Sequence, residues 1–198
     1  MEADPDAELM RKVANGDQAA FAALFDRHVQ GVVRFAYRFV GDQARAEELA
    51  QDIFVKLFRN AKGYRPSAKF KTFLFRVAAN HCLNEVRRGE YRVKHTTHEA
   101  ETEASGKELP AAHGTTPDEA LHGKELEGAV GDALSQLSDR ERAAFTMCRF
   151  EGMAYREIAE ALSASENAVK SLIHRATLAV ARRLSKLQAG AVPARSRA

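Results

Sequence analysis

The chain has 198 residues, 45% of them hydrophobic, and its 30 Lys and Arg against 27 Asp and Glu leave a net charge of +3. That length suits one ordinary domain or two small ones, and the faint basic excess makes a nucleic-acid partner admissible without establishing it. No run of 18 apolar residues occurs and four of the first eight residues are acidic, so neither a membrane span nor a secretory signal is expected and the protein is expected to stay in the cytoplasm.

Asp17 is placed to cap the first expected helix, in which Phe21, Leu24, Phe25, Val32, Phe35, Ala36 and Phe39 recur at helical spacing until Gly41 offers a stop. Asp42 can cap the next, whose stripe of Ala46, Leu49, Ala50, Ile53, Phe54, Leu57, Phe58 and Ala61 must pack against other helices. Glu48, Gln51, Asp52, Val55 and Arg59 lie off that stripe and form an outer face. After the turn signal Gly63 to Pro66, a third helix is expected from about Ala68 to Arg88, ended by Gly89. Leu74, Val77, Ala78 and Cys82 can face its core, whereas Phe73, Arg76, Asn80, Asn84 and Arg87 fall on a second face that is aromatic, amide and cationic. Packing gives no reason for that composition.

Residues 96–124 are acidic and nearly free of large apolar side chains, so they read as a solvated tether that cannot offset its ordering entropy. Charge follows the same division. Residues 56–94 carry 11 basic against 2 acidic side chains, 95–132 carry 2 against 9, and 133–198 carry 11 against 6, which suggests two polyanion-facing surfaces and a spacer. A second helical block begins with a segment over 125–137, followed by a capping-box pattern from Ser138 to Glu141 that opens a helix carrying Ala144, Phe145 and Cys148. From Tyr155 to His174 the pattern fits a helix-turn-helix: Ile158, Ala159 and Leu162 on one short helix, Ser163, Ala164 and Ser165 in the turn, and Val169, Leu172, Ile173 and Ala176 on the second helix. Its outward side chains are Glu166, Asn167, Lys170, Ser171, His174 and Arg175, and residues 165–187 hold five cations and one acid. An ordinary helical hairpin with a solvated basic face is the alternative, and that charge favours duplex DNA read in the major groove.

With both blocks in view, the chain resembles the extracytoplasmic-function group of bacterial RNA polymerase sigma factors over about 17–92 and 134–187. The strings that carry the resemblance run from Ala46 to Arg59, from Phe70 to Asn80 with Arg87 and Arg88, from Tyr155 to Ala159, from Val169 to Ser171 and from His174 to Ala176. The resemblance implies an all-α fold of two small helical domains joined by a flexible acidic linker. Residues 1–92 would bind core polymerase and melt the −10 element, 93–124 would be the linker, 125–187 would read the −35 element, and 188–198 would be a disordered tail.

The resemblance further implies polymerase docking by Glu48, Leu49, Gln51, Asp52, Phe54, Val55, Leu57, Phe58 and Arg59. It implies −10 capture by Phe70, Lys71, Thr72, Phe73, Arg76, Asn80, Asn84, Arg87 and Arg88. For the −35 duplex it implies Arg149, Tyr155, Arg156, Glu166, Asn167, Lys170, Ser171, His174 and Arg175. The partners would be core RNA polymerase, promoter DNA and an anti-sigma factor. The acidic linker would thread the polymerase as a mimic of nucleic acid. Several positions depart from the group's usual residues. Phe73 stands for Trp, Ser163 for Gly, Ala154 for Ser, Leu172 for Arg, Ala168 for Thr and Asn84 for Asp. Promoter preference is expected to shift accordingly, and a non-Gly αL residue at Ser163 would cost about 1 kcal/mol.

No catalytic residue, cofactor or metal site is expected. The motifs G-x-x-x-x-G-K-S/T, H-E-x-x-H and G-x-S-x-G are absent, His95 and His98 read as linker, and Cys82 and Cys148 read as buried reduced thiols. The competing function is a helix-turn-helix activator or repressor that does not join polymerase, which would leave the mixed face of residues 73–87 without a role.

Overall fold

A computed structural model describes residues 4–65, 68–95 and 128–190, and the described residues are helical with no strands. The expected linker and tail lie largely outside them. Helix α1, Pro5–Ala14, precedes the first helix expected from the sequence. Asp4 caps it by accepting from the Asp6 N–H, Pro5 sits in its first turn, and Ala7, Met10 and Val13 form a narrow buried stripe.

Helix α2, Gln18–Val40, starts where Asp17 Oδ1 accepts the Ala20 N–H at 3.0 Å. It stops at Gly41, whose φ of 69° and N–H bond to the Tyr37 carbonyl form a left-handed cap. Helix α3, Gln43–Arg59, is capped by Asp42 through the Arg45 N–H at 2.7 Å and is followed by a 3₁₀ turn at Ala61–Gly63.

Helix α4, Phe70–His95, runs through the expected stop at Gly89. Gly89 is not among the glycines with positive φ, and without a left-handed residue the helix has no cap to close on. Its first N–H is held by the same carboxylate that caps α1, with Phe70 N donating to Asp4 Oδ2 at 2.6 Å.

In the second block, α5 spans 128–135, shorter than the expected 125–137, of which 125–127 lie outside the described residues. Helix α6, Asp139–Arg149, opens where Glu141 accepts from both the Ser138 N–H and its hydroxyl. Helix α7, Tyr155–Ala161, has no side-chain cap at Ala154, but the Glu157 carboxylate accepts the Ala154 N–H at 2.8 Å and keeps half of a capping box. The turn to α8, Glu166–Gly190, passes through Ser163 at φ 49°, a left-handed residue at the position where the resemblance expected Gly. Ser165 Oγ then caps α8 through the Ala168 N–H.

One apolar cluster runs through both blocks. Phe35, Phe54, Phe70 and Phe75 fill its centre, with Phe35 and Phe75 edge to face at 5.3 Å, and Ala143 and Met147 from α6, Ile158 from α7, and Met153 and Leu162 on either side of α7 join it. A smaller cluster gathers Leu134, Leu137, Phe145, Ala176 and Val180 under α5 and α8. Helix α7 packs on α4 and α6 on α2. Polar contacts cross the same seam. Arg38 lies over the Phe150 ring at 3.8 Å, and the buried Arg142 guanidinium reaches the Phe39 carbonyl at the end of α2.

Candidate nucleic-acid interface

Three surfaces follow from these elements. On α3, burial of Leu49, Ile53, Phe54 and Leu57 turns Glu48, Gln51, Asp52, Val55, Phe58 and Arg59 outward. Val55 and Phe58 are 45% and 44% exposed, an apolar step within a charged surface. Leu49, Phe54 and Leu57, which the resemblance placed at the docking surface, are core residues that hold it from beneath.

The α3 face is braced to α4. Arg45 pairs with Glu48 and Glu85, and buried His81 meets Lys56 at Nδ1 while its Nε2 lies 3.5 Å from Asp52. Burial, then the Lys56 charge, lowers the His81 pKa. A neutral ring that accepts from Lys56 at Nδ1 presents its N–H toward Asp52. Beside it the buried Cys82 thiol is pushed up to about 12, by desolvation and then by Glu85, so it stays protonated. Cys148 is half-buried.

On α4 the mixed face holds together. Asn80, Asn84, Arg87 and Arg88 are exposed, and Phe73 and Arg76 are half-buried at its N-terminal end. The Phe73 ring is supported by Tyr64 at 5.1 Å, and the Arg76 guanidinium lies 5.4 Å from its centroid. A shallow depression beside it is lined by Arg65, Thr72, Phe73, Arg76 and, from α7, Glu160. Phe70 and Thr72 are not surface residues. Phe70 is fully buried beside His28, and Thr72 is 2% exposed. They belong to the α4 residues that face the core.

Two cations absent from the sequence expectations, Arg65 and Lys69, flank this face, and the acids of the second block meet its N-terminal end. Lys69 Nζ is 2.9 Å from Glu157, and Lys71 Nζ donates to the Glu151 carbonyl at 2.5 Å with the Glu151 carboxylate at 3.5 Å. Partial burial opposes the charge on Glu157, but the Lys69 bond, the Ala154 N–H and Lys71 outweigh it and hold its carboxyl below the usual range.

On the helix-turn-helix, Glu166, Asn167, Lys170, Ser171, His174 and Arg175 are exposed, as are Arg149, Tyr155 and Arg156. Ser171 Oγ donates to the Asn167 carbonyl, and Arg175 Nε donates to Glu141 at 2.7 Å, which keeps the Glu141 carboxyl low. Leu172 is half-buried against the core rather than part of the reading surface.

A helical chain ending in a helix-turn-helix with an exposed basic recognition helix belongs to the DNA-binding class. Comparison with known proteins narrows it. Residues 24–91 match the Sigma-70 region 2 model and residues 127–180 the Sigma-70 region 4 model. The chain is 32% identical over 164 residues to the ECF RNA polymerase sigma factor SigK of Mycobacterium sp. (strain KMS), covering 82% of each. It is 29% identical to the RNA polymerase sigma-H factor of Pseudomonas aeruginosa, covering 93% of this chain and 96% of that one. It is 34% identical to the ECF sigma factor SigE of Mycolicibacterium smegmatis, where the match covers 82% of this chain and 62% of the relative. Among solved structures, CnrH in complex with the cytosolic domain of CnrY superposes with a TM-score of 0.66 at 23% identity, covering 92% of this chain and 99% of that one. RpoE of Bartonella quintana, bound to the anti-sigma factor NepR, superposes at 0.67 and 20%, covering 83% and 96%.

The chain belongs to the ECF group of RNA polymerase sigma factors. Among the described residues, no helix is long and apolar enough to cross a membrane.

Proposed function

We propose that the chain docks on core RNA polymerase through the outer face of α3, captures the melted −10 strand on the mixed face of α4, and reads the −35 duplex with α8. The carrying observation is α4 itself. A 26-residue helix that buries Leu74, Phe75, Ala78, Ala79 and Cys82 on one side leaves Asn80, Asn84 and Arg87 exposed beside the supported Phe73 ring on the other. Stacking of an unpaired base on such a ring is worth roughly 1–3 kcal/mol, amides can read its edge, and guanidinium groups can hold the backbone. These terms offset the few kcal/mol needed to unstack a base. Promoter opening is then differential binding of the melted over the closed form, and the chain needs no catalytic residue of its own.

On this reading residues 1–92 form the polymerase and −10 domain, 93–124 the linker and 125–187 the −35 domain, with 188–198 as a tail. The solved relatives CnrH and RpoE are seen with CnrY and with the anti-sigma factor NepR, which supports an anti-sigma partner here. The deciding experiment is run-off transcription with core polymerase on genomic fragments, followed by mapping of the start sites. The chain should direct new, discrete starts. A chain that shifts promoter duplexes but leaves the transcripts unchanged is a helix-turn-helix regulator instead.

Lys170→Ala is expected to weaken binding to a −35 duplex and to lower the slope of log K against log salt by about 1, the signature of one lost phosphate contact. Arg175→Ala should act in the same direction while also freeing Glu141. Titration of both variants across salt concentrations checks this, and an unchanged slope removes the residue from the contact set.

A further inference from the structure

His81 is 8% exposed, yet both of its ring nitrogens face charged side chains of the neighbouring helix α3. Lys56 Nζ donates to Nδ1, and the Asp52 carboxylate stands 3.5 Å from Nε2. Asp52 and Lys56 lie one turn apart on α3, both are exposed, and Val55 lies beside them on the same outer face. We propose that His81 is a positioning residue for polymerase docking: Lys56 fixes the tautomer of the imidazole, and the ring's remaining N–H holds the Asp52 carboxylate in the orientation that core enzyme meets. The inference rests on the assignment of the α3 outer face to core polymerase.

The direction of the relay follows from its donors. An ammonium can only donate, so Nδ1 must accept, and the single proton of the neutral ring sits on Nε2, aimed at Asp52. Burial and then the Lys56 charge lower the His81 pKa, which keeps the ring neutral at pH 7. Glu85, one turn further along α4 and paired with Arg45, also bears on the ring and opposes that shift, as Asp52 does. Nε2 is buried and has no partner at ordinary hydrogen-bond length among the described residues. A buried N–H without an acceptor is costly, and Asp52 closing on it satisfies the donor with one oxygen while leaving the other for the partner.

A position needed only for packing would be filled by leucine without that cost. On an exposed helix face an unheld carboxylate samples several rotamers, and ordering it on binding weakens the complex, so a group that orders it beforehand strengthens docking without touching the polymerase.

The full chain, carrying a fluorophore, is titrated with core RNA polymerase as wild type, His81→Leu, His81→Gln, Asp52→Ala and the double variant with His81→Leu and Asp52→Ala. His81→Leu is expected to weaken core binding on the order of tenfold, and the double variant to bind no more than about twofold more weakly than Asp52→Ala alone, because the ring acts through the carboxylate. His81→Gln, whose amide N–H can stand in for Nε2, should restore binding to within about threefold of wild type. Binding of His81→Leu to a −35 duplex should be unchanged, since α8 is remote from the ring. Additive losses in the double variant, a His81→Gln chain that docks no better than His81→Leu, or loss of duplex binding by His81→Leu would each overturn the proposal. Val55→Asp reports the docking face independently. If it abolishes core binding while His81→Leu does not alter it, the positioning role alone falls. If Val55→Asp also leaves core binding intact, the assignment of the α3 face to polymerase fails and the positioning role falls with it.

Discussion

Arg142→Met is expected to lower the unfolding free energy by about 3–5 kcal/mol, because several charge-assisted hydrogen bonds to buried carbonyls are lost at once. Arg142 is 8% exposed and faces backbone rather than a carboxylate. Its Nε donates to the Leu134 carbonyl, one terminal nitrogen to Phe39, and the other to Ser135 and Leu137. Those carbonyls lie at or beyond the C-terminal ends of α5 and α2, where helix acceptors lack intrahelical partners and the dipole is negative. A single planar cation thus satisfies acceptors from two helix ends and ties together residues 103 positions apart.

Burial lowers the Arg142 pKa from the ordinary arginine value, but arginine starts so high that the group stays charged at neutral pH. Methionine fills similar space but leaves several buried acceptors unmet, each costing about 1–3 kcal/mol before water or relaxation recovers part of it. Arg142→Lys should fall between, because an ammonium has three donors and no planar fork. Urea unfolding followed by circular dichroism reads the effect. A loss below about 1 kcal/mol for the methionine variant would mean that the carbonyls find other partners.

The parts of this structure that were legible in the sequence share a local cause. Asp17, Gly41, Asp42 and Ser138 each act within a few residues of themselves: the two aspartates and the serine open helices and Gly41 ends one, as the pattern indicated. The left-handed residue at Ser163 was expected only from the resemblance, which places Gly at that turn position. The outer faces of α3, α4 and α8 were legible because helical periodicity separates them from the buried stripe.

What was not legible is non-local. Helix α1 buries only three side chains in ten residues, too thin a stripe to stand out, although Asp4 followed by Pro5 is a start signal that could have found it. Arg142 looks like any surface cation until the ends of α2 and α5 converge on it. Strings carried over from a family also ignore direction. Leu49, Phe54, Leu57, Phe70 and Thr72 lie within the segments the resemblance named but point into the core. The contacts of Glu151 with Lys71 and of Glu157 with Lys69 gave no signal at all, because they depend on the second block lying against α4.

The combined substitution Arg76→Ala and Asn80→Ala is expected to reduce promoter opening about 10- to 100-fold while leaving core-polymerase binding unchanged. A factor of ten corresponds to about 1.4 kcal/mol, so the range asks the pair for no more than a charged contact and one amide contact supply. Neither residue belongs to the outer face of α3, and neither joins the Arg45, Glu85 and His81 bracing that holds α3 to α4. Permanganate reactivity of unpaired thymines reports opening, and a pull-down with core enzyme reports docking. Equal loss in both would move these residues from the strand to the polymerase surface.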